Sequence, residues 1–344
     1  MKPVNPIKTN SRREVLKALA GIPILASFGA LGKKVSETLP PDTVENNIRS
    51  NNEQIQELKG ELPRGKLGTL DVSRIIIGCN PIIAWAHARD LIYPNRLIRA
   101  YNTEDKILQT LNLAEQAGIN TLILTTEAYP VCNKYKEFYK SKLQTIGMAT
   151  LPEKDPLSNI NMVIDYGADA IYIHGRVCDA YIRAGNKEGL FKYLDYIKSK
   201  GLQAGIGAHC LETIQECEKE DNPADFYMKS FHHDKYWSAL PEDHREAYME
   251  IGPSSIDHDK YCDNMWDLFP DRTVEFMKTV RKPFIAFKTL AAGAIHPRVG
   301  FRYAFENGAD FVCAGMFDFQ VIENVNLACE ILGDTKKRER QWYA

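Results

Sequence analysis

The sequence has little excess charge and lacks long apolar runs over most of its length. Its 43 Lys and Arg residues nearly balance its 45 Asp and Glu residues, which gives no reason to expect a nucleic-acid partner. No stretch after residue 40 is apolar for long enough to cross a bilayer, which argues against a polytopic membrane protein. A chain of 344 residues, 44% of them hydrophobic, can bury a sizeable core, so the sequence predicts one large domain.

Compact metal-binding and redox spacings are also missing. None of the eight cysteines forms a C-x-x-C pair, and no two histidines show H-x-H or H-x-x-x-H spacing. Most of the cysteines fall in apolar strand or helix patterns, which indicates small core side chains. The pattern leaves a disulfide open if the protein reaches an oxidising compartment, but it does not indicate a pairing.

The N-terminus has the layout of an export signal. The sequence SRREVLK at 11–17 precedes a short apolar stretch at 18–31. An Arg pair in this position is typical of twin-arginine signals, which the twin-arginine export machinery reads. We therefore predict a signal peptide over 1–32, an exported or periplasmic protein, and no stable membrane span once the signal is removed. A polar linker is predicted over 33–63.

Strand-like and helix-like segments alternate from residue 64 to residue 335. Such alternation predicts a single (β/α)8 TIM barrel, whose site lies at the C-terminal ends of the strands. Residues 336–344 are predicted to form a charged C-terminal tail. The eight predicted strands cover 74–80, 121–126, 144–150, 170–175, 203–209, 225–230, 283–288 and 310–315.

Two connections, 81–102 and 231–271, are long for a compact barrel. Loops of this length usually act as lids or binding walls. Their aromatic and basic side chains are suited to stacking on sugar rings and binding hydroxyl or acid groups, although any one of them could simply pack on the barrel. The substrate-binding candidates in these loops are Trp85, Arg89, His232 and Trp237.

Four segments of the sequence form a recognisable set, namely RGKLGTLDVSRIIIGCNPI (64–82), AGINTLILTTEAYP (117–130), DAIYIHG (169–175) and the block 286–325, which begins AFKTLAAGAIHP. Together they resemble the aldo/keto reductase superfamily over about 64–332. The resemblance implies a reductase with an Asp, Tyr, Lys and His set, and it places Tyr129 and His174 at the Tyr and His positions. The Asp position falls on Leu124, and the Lys position falls near 149–150. Without the Lys to lower its pKa, Tyr129 is expected to be a poor acid at neutral pH.

The resemblance also implies a nicotinamide cofactor whose phosphates bind at the start of the last helix. The matching cofactor-binding positions are Gly315, Glu323 and Asn324. Asp318 lies between Phe317 and Phe319 in this region, and a carboxylate repels phosphate groups. Tight NADP binding is therefore not expected, and the cofactor is left open.

Strand alternation predicts a group of polar side chains that point into the barrel mouth. One hypothesis makes Lys229 and Lys288 adjacent catalytic lysines, one of them a base or Schiff-base nucleophile. A second makes a divalent metal site from Glu127, His174, His209 and His232. A third uses His174 and His209 as proton carriers. The inward candidates are Asn80, Thr125, Glu127, His174, His209, Lys229 and Lys288.

These observations favour an exported enzyme that acts on a small carbohydrate or hydroxy-carbonyl substrate by acid–base or lysine chemistry. The alternatives are a nicotinamide-dependent reductase, a metal-dependent hydrolase, lyase or isomerase, and a non-catalytic sugar-binding barrel. Interior lysines and histidines argue against the last alternative, because binding alone is well served by Asn, Asp and Trp.

Overall fold

The computed structural model describes residues 41–89, 91–247, 267–334 and 337–344. The predicted signal at 1–32 lies outside these residues, and so does part of the long loop predicted at 231–271. Within the described ranges, no helix combines the length and the apolar character that a membrane span needs.

Eight parallel strands close into a barrel, which confirms the predicted (β/α)8 fold. The last strand pairs with the first through Val312 and Ile75, and each of the others pairs with its neighbour in the chain. All eight strands begin within one residue of their predicted starts, and most of them end earlier than predicted. The barrel strands are β3 (Ile75–Gly78), β4 (Thr121–Leu124), β5 (Gln144–Ala149), β6 (Ala170–Ile173), β7 (Gln203–Ala208), β8 (Phe226–Ser230), β9 (Phe284–Phe287) and β10 (Phe311–Ala314).

The helices begin and end at residues suited to those positions. Thr103 accepts a hydrogen bond from the backbone N–H of Lys106 at the start of α3, and Gly118 and Gly308 follow helices with φ of +94° and +101°. The helices are α1 (Pro41–Ile55), α2 (Pro94–Tyr101), α3 (Glu104–Gln116), α4 (Tyr129–Tyr139), α5 (Pro156–Asp165), α6 (Gly175–Arg183), α7 (Lys187–Ser199), α8 (Leu211–Cys217), α9 (Pro270–Met277), α10 (Pro297–Glu306) and α11 (Asp318–Gly333).

An antiparallel hairpin closes the N-terminal end of the barrel. Its strands β1 (Arg64–Leu67) and β2 (Leu70–Ser73) place Leu67 and Val72 in the same buried cluster as Ile76 and Phe311. Because this end is filled by apolar side chains, the C-terminal ends of the strands remain as the place for a site.

The segment predicted as a linker is in part a packed helix. Asn51 of α1 is fully buried, and its amide donates hydrogen bonds to Oδ1 of Asn112 at 3.0 Å and to the carbonyl of Gln109 at 3.1 Å. The polar composition of 33–63 suggested a tether outside the fold. The hydrogen bonds of Asn51 attach the helix to α3. Amino-acid composition alone does not predict such contacts.

The charged C-terminal tail is folded against the barrel. Arg340 is buried and donates to a carboxylate oxygen of Asp310 at 2.8 Å, while Arg338 lies 3.3 Å from the other oxygen. The backbone N–H of Tyr343 donates to the same carboxylate at 3.0 Å. Buried charges are tolerated when they are paired and hydrogen-bonded in this way.

Candidate active site

Strand alternation sends two of the predicted histidines into the barrel mouth. Ala170 and Tyr172 of β6 belong to the interior cluster, so His174 at the end of the same strand has the inward parity. His209 follows β7 directly, and its ring lies 5.7 Å from that of His174 and 5.5 Å from that of Phe287, centroid to centroid. The structure therefore brings His174 and His209 together.

The side chain of Lys288 also lies near these two histidines, although regular strand alternation does not direct it there. Ile285 is the interior residue of β9, so strict alternation would also turn Phe287 inward and Lys288 outward. The backbone of Lys288 instead has a φ of +57°, which is a strained left-handed conformation for a residue with a side chain. Its ammonium donates a hydrogen bond to Nε2 of His87 at 3.0 Å.

The imidazoles around this ammonium are held in the neutral form. Burial, and after it the charge of Lys288, lowers the pKa of His87 to about 2. Burial lowers the pKa of His174 to about 3, with His209 and Lys288 as further causes. Burial also lowers the pKa of His209 well below its ordinary value, and Lys288 and Lys229 add to the effect. At neutral pH these rings are therefore uncharged and carry no proton to donate as imidazolium.

A buried carboxylate orients His209. Nδ1 of His209 lies 3.1 Å from Oδ2 of Asp179, which also accepts the backbone N–H of His209 at 3.1 Å. Thr213 donates its hydroxyl to the other oxygen at 2.6 Å. Because Nδ1–H is directed at Asp179, Nε2 is left as the basic nitrogen. Burial raises the pKa of Asp179 to about 6, so the carboxylate is ionised at neutral pH.

Glycines at the ends of β6 and β7 let His209 approach this closely. A Cβ on Gly175 would lie 2.7 Å from the His209 ring, and one on Gly207 would lie 2.6 Å from the carbonyl of Ile173. Such contacts are shorter than packed atoms allow, so a side chain at Gly175 would displace the His209 ring and one at Gly207 would displace the backbone at the end of β6.

The prediction that Lys229 points into the mouth is wrong. Met228 is the interior residue of β8, so Lys229 has the opposite parity and lies behind the barrel wall with no exposed surface. Its ammonium donates to the carbonyls of His209 at 2.8 Å and Ser230 at 2.7 Å, and it lies 3.5 Å from Oδ1 of Asp267. Lys229 therefore joins the ends of β7 and β8 and does not form a lysine pair with Lys288.

The ring of His232 is held by backbone groups of the loop after β8. Nδ1 lies 2.9 Å from the carbonyl of His233, and Nε2 lies 3.3 Å from the backbone N–H of Asp267, so both ring nitrogens have protein partners. No three His, Cys, Asp or Glu side chains of the described residues form a group that could hold a metal ion. The four ligands suggested by the sequence are thus not brought together.

Glu127 lies on the short loop after β4. The Thr125 hydroxyl beside it holds the pKa of Glu127 below its ordinary value, so it is a carboxylate at neutral pH. Asn80 is half-buried, and its carbonyl accepts the backbone N–H of Trp85 at 2.8 Å. Both residues follow strand ends, and their predicted role in binding a substrate stays a prediction.

Tyr129 is not at the mouth, which corrects the role that the resemblance implied. It is the first residue of α4, is fully buried, and stacks on Tyr166 with 5.0 Å between the ring centroids. Its hydroxyl would lie 2.8 Å from a Cβ placed on Gly147, a wall residue between the interior positions Ile146 and Met148. Burial raises its pKa above the ordinary phenol value. The phenol is therefore between the barrel and its helices and cannot reach a substrate at the mouth.

The start of α11 does not fit the phosphates of a dinucleotide. Asp318 is buried there, accepts the hydroxyl of Tyr101 at 2.6 Å, and pairs with Lys106 at 3.0 Å. Phe317 and Phe319 stack on each other with 5.5 Å between ring centroids. A carboxylate and an aromatic pair occupy the place where an anion would need open N–H groups. Of the implied cofactor residues, Gly315 and Glu323 are exposed and Asn324 is buried.

The long loops contact each other above the barrel. Arg89 donates to the hydroxyl of Ser238 at 2.6 Å and to the carbonyl of Ala291 at 3.0 Å, and its guanidinium lies 5.1 Å from the ring of Trp237. Trp237 is 81% exposed, and Trp85 packs edge-on against His87 at 4.7 Å. These contacts join the loop after β3 to the loop after β8, and the predicted substrate-binding role of these side chains stays a prediction.

Sequence reasoning missed two central residues. His87 lies in the long loop 81–102 and is not among the sequence candidates, because nothing in the neighbouring sequence indicates contact with Lys288. Asp179 lies on α6, one turn beyond the strand-end His174, and an acid at such a place is a usable signal for a partner of a strand-end imidazole.

No protein-family model and no curated protein matches this chain. Two solved structures, each assigned as an aldo-keto reductase from Pseudomonas aeruginosa, are similar to it. They are 14% and 15% identical, cover 80% and 82% of this chain and 99% of their own, and superpose with TM-scores of 0.54 and 0.53. At this identity the similarity shows the fold, so the chain shares the barrel architecture of the aldo-keto reductases.

Proposed function

We propose that this protein is an exported enzyme that transfers protons on a small hydroxy-carbonyl or carbohydrate substrate. The observation that carries the proposal is the meeting of one ammonium, Lys288, with the neutral imidazoles of His87, His174 and His209 at the mouth of the barrel. The twin-arginine pattern at 11–17 supports export.

In this mechanism His209 removes a proton from the carbon beside the substrate carbonyl. Nε2 takes the proton, and Asp179 stabilises the resulting imidazolium through the hydrogen bond to Nδ1. The electron pair of the broken C–H bond moves onto the carbonyl oxygen as an enolate. The Lys288 ammonium is the cation available to stabilise that oxygen. In a hydroxy-carbonyl compound, the proton of the neighbouring hydroxyl group then moves to the enolate oxygen. The imidazolium of His209 returns its proton to the former carbonyl carbon, which completes an isomerisation.

Nicotinamide-dependent reduction is less well supported, because it needs a proton donor and a phosphate site. Tyr129 is buried away from the mouth, and Asp318 with its aromatic neighbours fills the start of α11. Retention of NADP by the purified protein in native mass spectrometry would contradict this preference.

The test follows proton exchange in deuterium oxide. Residues 33–344 are incubated with a panel of hydroxy-aldehydes, hydroxy-ketones and keto-sugars, and loss of the proton beside the carbonyl is followed by NMR. We expect exchange of at least one compound by the wild type and loss of it in Lys288→Met and His209→Gln. Exchange that survives both substitutions, or none across the panel, would contradict the proposal. Borohydride treatment with the active compound then shows whether Lys288 also forms an imine.

A further inference from the structure

The loop after β3 exposes an unusual amount of apolar surface. The exposed fractions are 54% for Leu91, 89% for Ile92, 56% for Tyr93 and 61% for Leu97. Helix α2 buries none of its residues. Scattered apolar residues are normal on a protein surface, but four within seven positions form a patch of the kind that marks an interaction site.

The patch has a regular arrangement. Tyr93, Leu97 and Tyr101 are spaced by four residues, so they share one face of α2. Tyr101 packs edge-on against Phe319, which is 63% exposed, with 6.1 Å between ring centroids. The apolar face therefore continues from the loop onto the start of α11. We call the set Leu91, Ile92, Tyr93, Leu97, Tyr101 and Phe319 the α2 surface.

The α2 surface is held firmly against the barrel. The side chain of Asn95 accepts the backbone N–H of Ala86 at 3.0 Å, and the side chain of Asn102 donates to the carbonyl of Pro81 at 2.8 Å. These two hydrogen bonds fix both ends of the helix to the preceding loop. The apolar face is thus presented outward by a helix with fixed attachments, and not by a frayed segment.

The charged residues within 91–103 are two arginines. Arg96 and Arg99 are exposed, whereas Asp90 precedes this segment and Glu104 and Asp105 follow it. Glu104 is paired with Lys134. The nearest carboxylate on α11, Asp318, is already paired with Lys106 and hydrogen-bonded to Tyr101. The surface therefore combines exposed apolar and tyrosine side chains with two guanidinium groups, and this composition complements an anionic partner.

We propose that the α2 surface binds the face of an anionic lipid bilayer. A short amphipathic helix with Leu, Ile and Tyr on one side and Arg beside it lies in the headgroup region with its apolar side chains among the acyl chains. Guanidinium groups pair with lipid phosphates, and tyrosines favour the polar–apolar boundary. A second copy of this chain fits less well, because a symmetric contact would bring Arg96 and Arg99 of two copies together without acids from 91–103.

Binding through this surface would place the barrel mouth beside the bilayer. Trp85 and His87 lie on the same loop as α2, and Trp85 is 46% exposed. The substrate would then enter from the membrane face. This inference does not depend on the proposed proton transfer, because vesicle binding is measured without turnover.

The test is co-sedimentation of residues 33–344 with vesicles, since Asp42–Ala344 is a compact unit that keeps the whole α2 surface. Vesicles of phosphatidylglycerol and phosphatidylcholine are compared with vesicles of phosphatidylcholine alone. The variants are Ile92→Asp with Leu97→Asp, and Arg96→Gln with Arg99→Gln. The matched control is Met162→Asp with Val299→Asp, which changes two exposed apolar residues elsewhere (46% and 50% exposed).

We expect the wild type and the control to bind the anionic vesicles, with weaker binding at high salt and on neutral vesicles. Each removed apolar anchor should lower the partition coefficient by about tenfold. Two results would overturn the proposal. One is equal binding, or equal absence of binding, by all variants. The other is a dimer in sedimentation velocity that the Ile92 and Leu97 substitutions dissociate, which would assign the surface to a second copy.

Discussion

The ammonium of Lys288 donates a hydrogen bond to Nε2 of His87 across 3.0 Å, although the two residues are 201 positions apart in the chain. His87 has a pKa of about 2, for which burial is the first cause and the Lys288 charge the second. The Lys288→Met variant should therefore raise the pKa of His87 while leaving it below its ordinary value. Histidine NMR as a function of pH measures the change. An unaltered His87 titration would show that the ammonium is not the neighbour described.

Asp179 gives the candidate site a pH dependence near neutrality. Its pKa is raised to about 6 by burial, so the carboxylate is lost as pH falls through 6, whereas His87 and His174 titrate far lower. Since protonated Asp179 no longer supports an imidazolium on His209, proton exchange should decline below about pH 6 and level off above it. Asp179→Asn should lower the rate of proton exchange and remove its decline below pH 6. Thr213→Val should shift the pH at which the decline occurs. If the decline below pH 6 persists in Asp179→Asn, the titrating group is not Asp179.

The neutral histidines should make the fold sensitive to acid. Because the folded-state pKa values of His87 and His174 lie below the unfolded value of about 6.5, only the unfolded chain takes up protons between these limits. The stability contributed by these groups is complete above about pH 6.5 and declines as pH falls. The melting temperature should fall less between pH 7 and pH 5 in His87→Gln and in His174→Gln than in the wild type. The exposed His244→Gln is the control, and an unchanged loss in all three would contradict this account.

Removal of Lys229 should destabilise the barrel. Lys229→Met breaks two hydrogen bonds to strand-end carbonyls and leaves Asp267 as a buried carboxylate, at a cost of about 3–5 kcal/mol of unfolding free energy. Lys229→Met with Asp267→Asn should recover part of the loss. Urea unfolding measures both variants against the exposed Lys192→Met. Equal stability of the first variant and that control would show that the buried pair is unimportant.

The C-terminal tail should contribute to folding stability. Arg340 donates to Asp310 and to the carbonyls of Gly308, Val280 and Lys282. Arg340→Met removes these bonds from a buried site and should lower the unfolding free energy by about 3 kcal/mol, whereas the exposed Arg281→Met should have little effect. Thermal and urea denaturation distinguish the two. A stable Arg340→Met protein would mean that the tail only covers the barrel.

The sequence by itself determined the barrel. Eight apolar strand patterns separated by helical ones leave few other ways to bury both faces of the strands, and the glycines after the helices carry the φ values that their positions required. The same patterns predicted that His174 and His209 point inward at their strand ends, because side-chain direction alternates along a regular strand.

Only the tertiary structure decided the rest of the site. A shift of one residue in strand parity moves a side chain to the other face, and this turned Lys229 outward. Lys288 points to His87 because its backbone is not extended but has a φ of +57°. No local pattern in the sequence predicts this backbone conformation. Tyr129 is the first residue of α4 and is fully buried behind the barrel wall, although the resemblance implied a role at the mouth. The pairing of His209 with Asp179 depends on how closely β6 and β7 approach, and that distance is a property of the packed barrel.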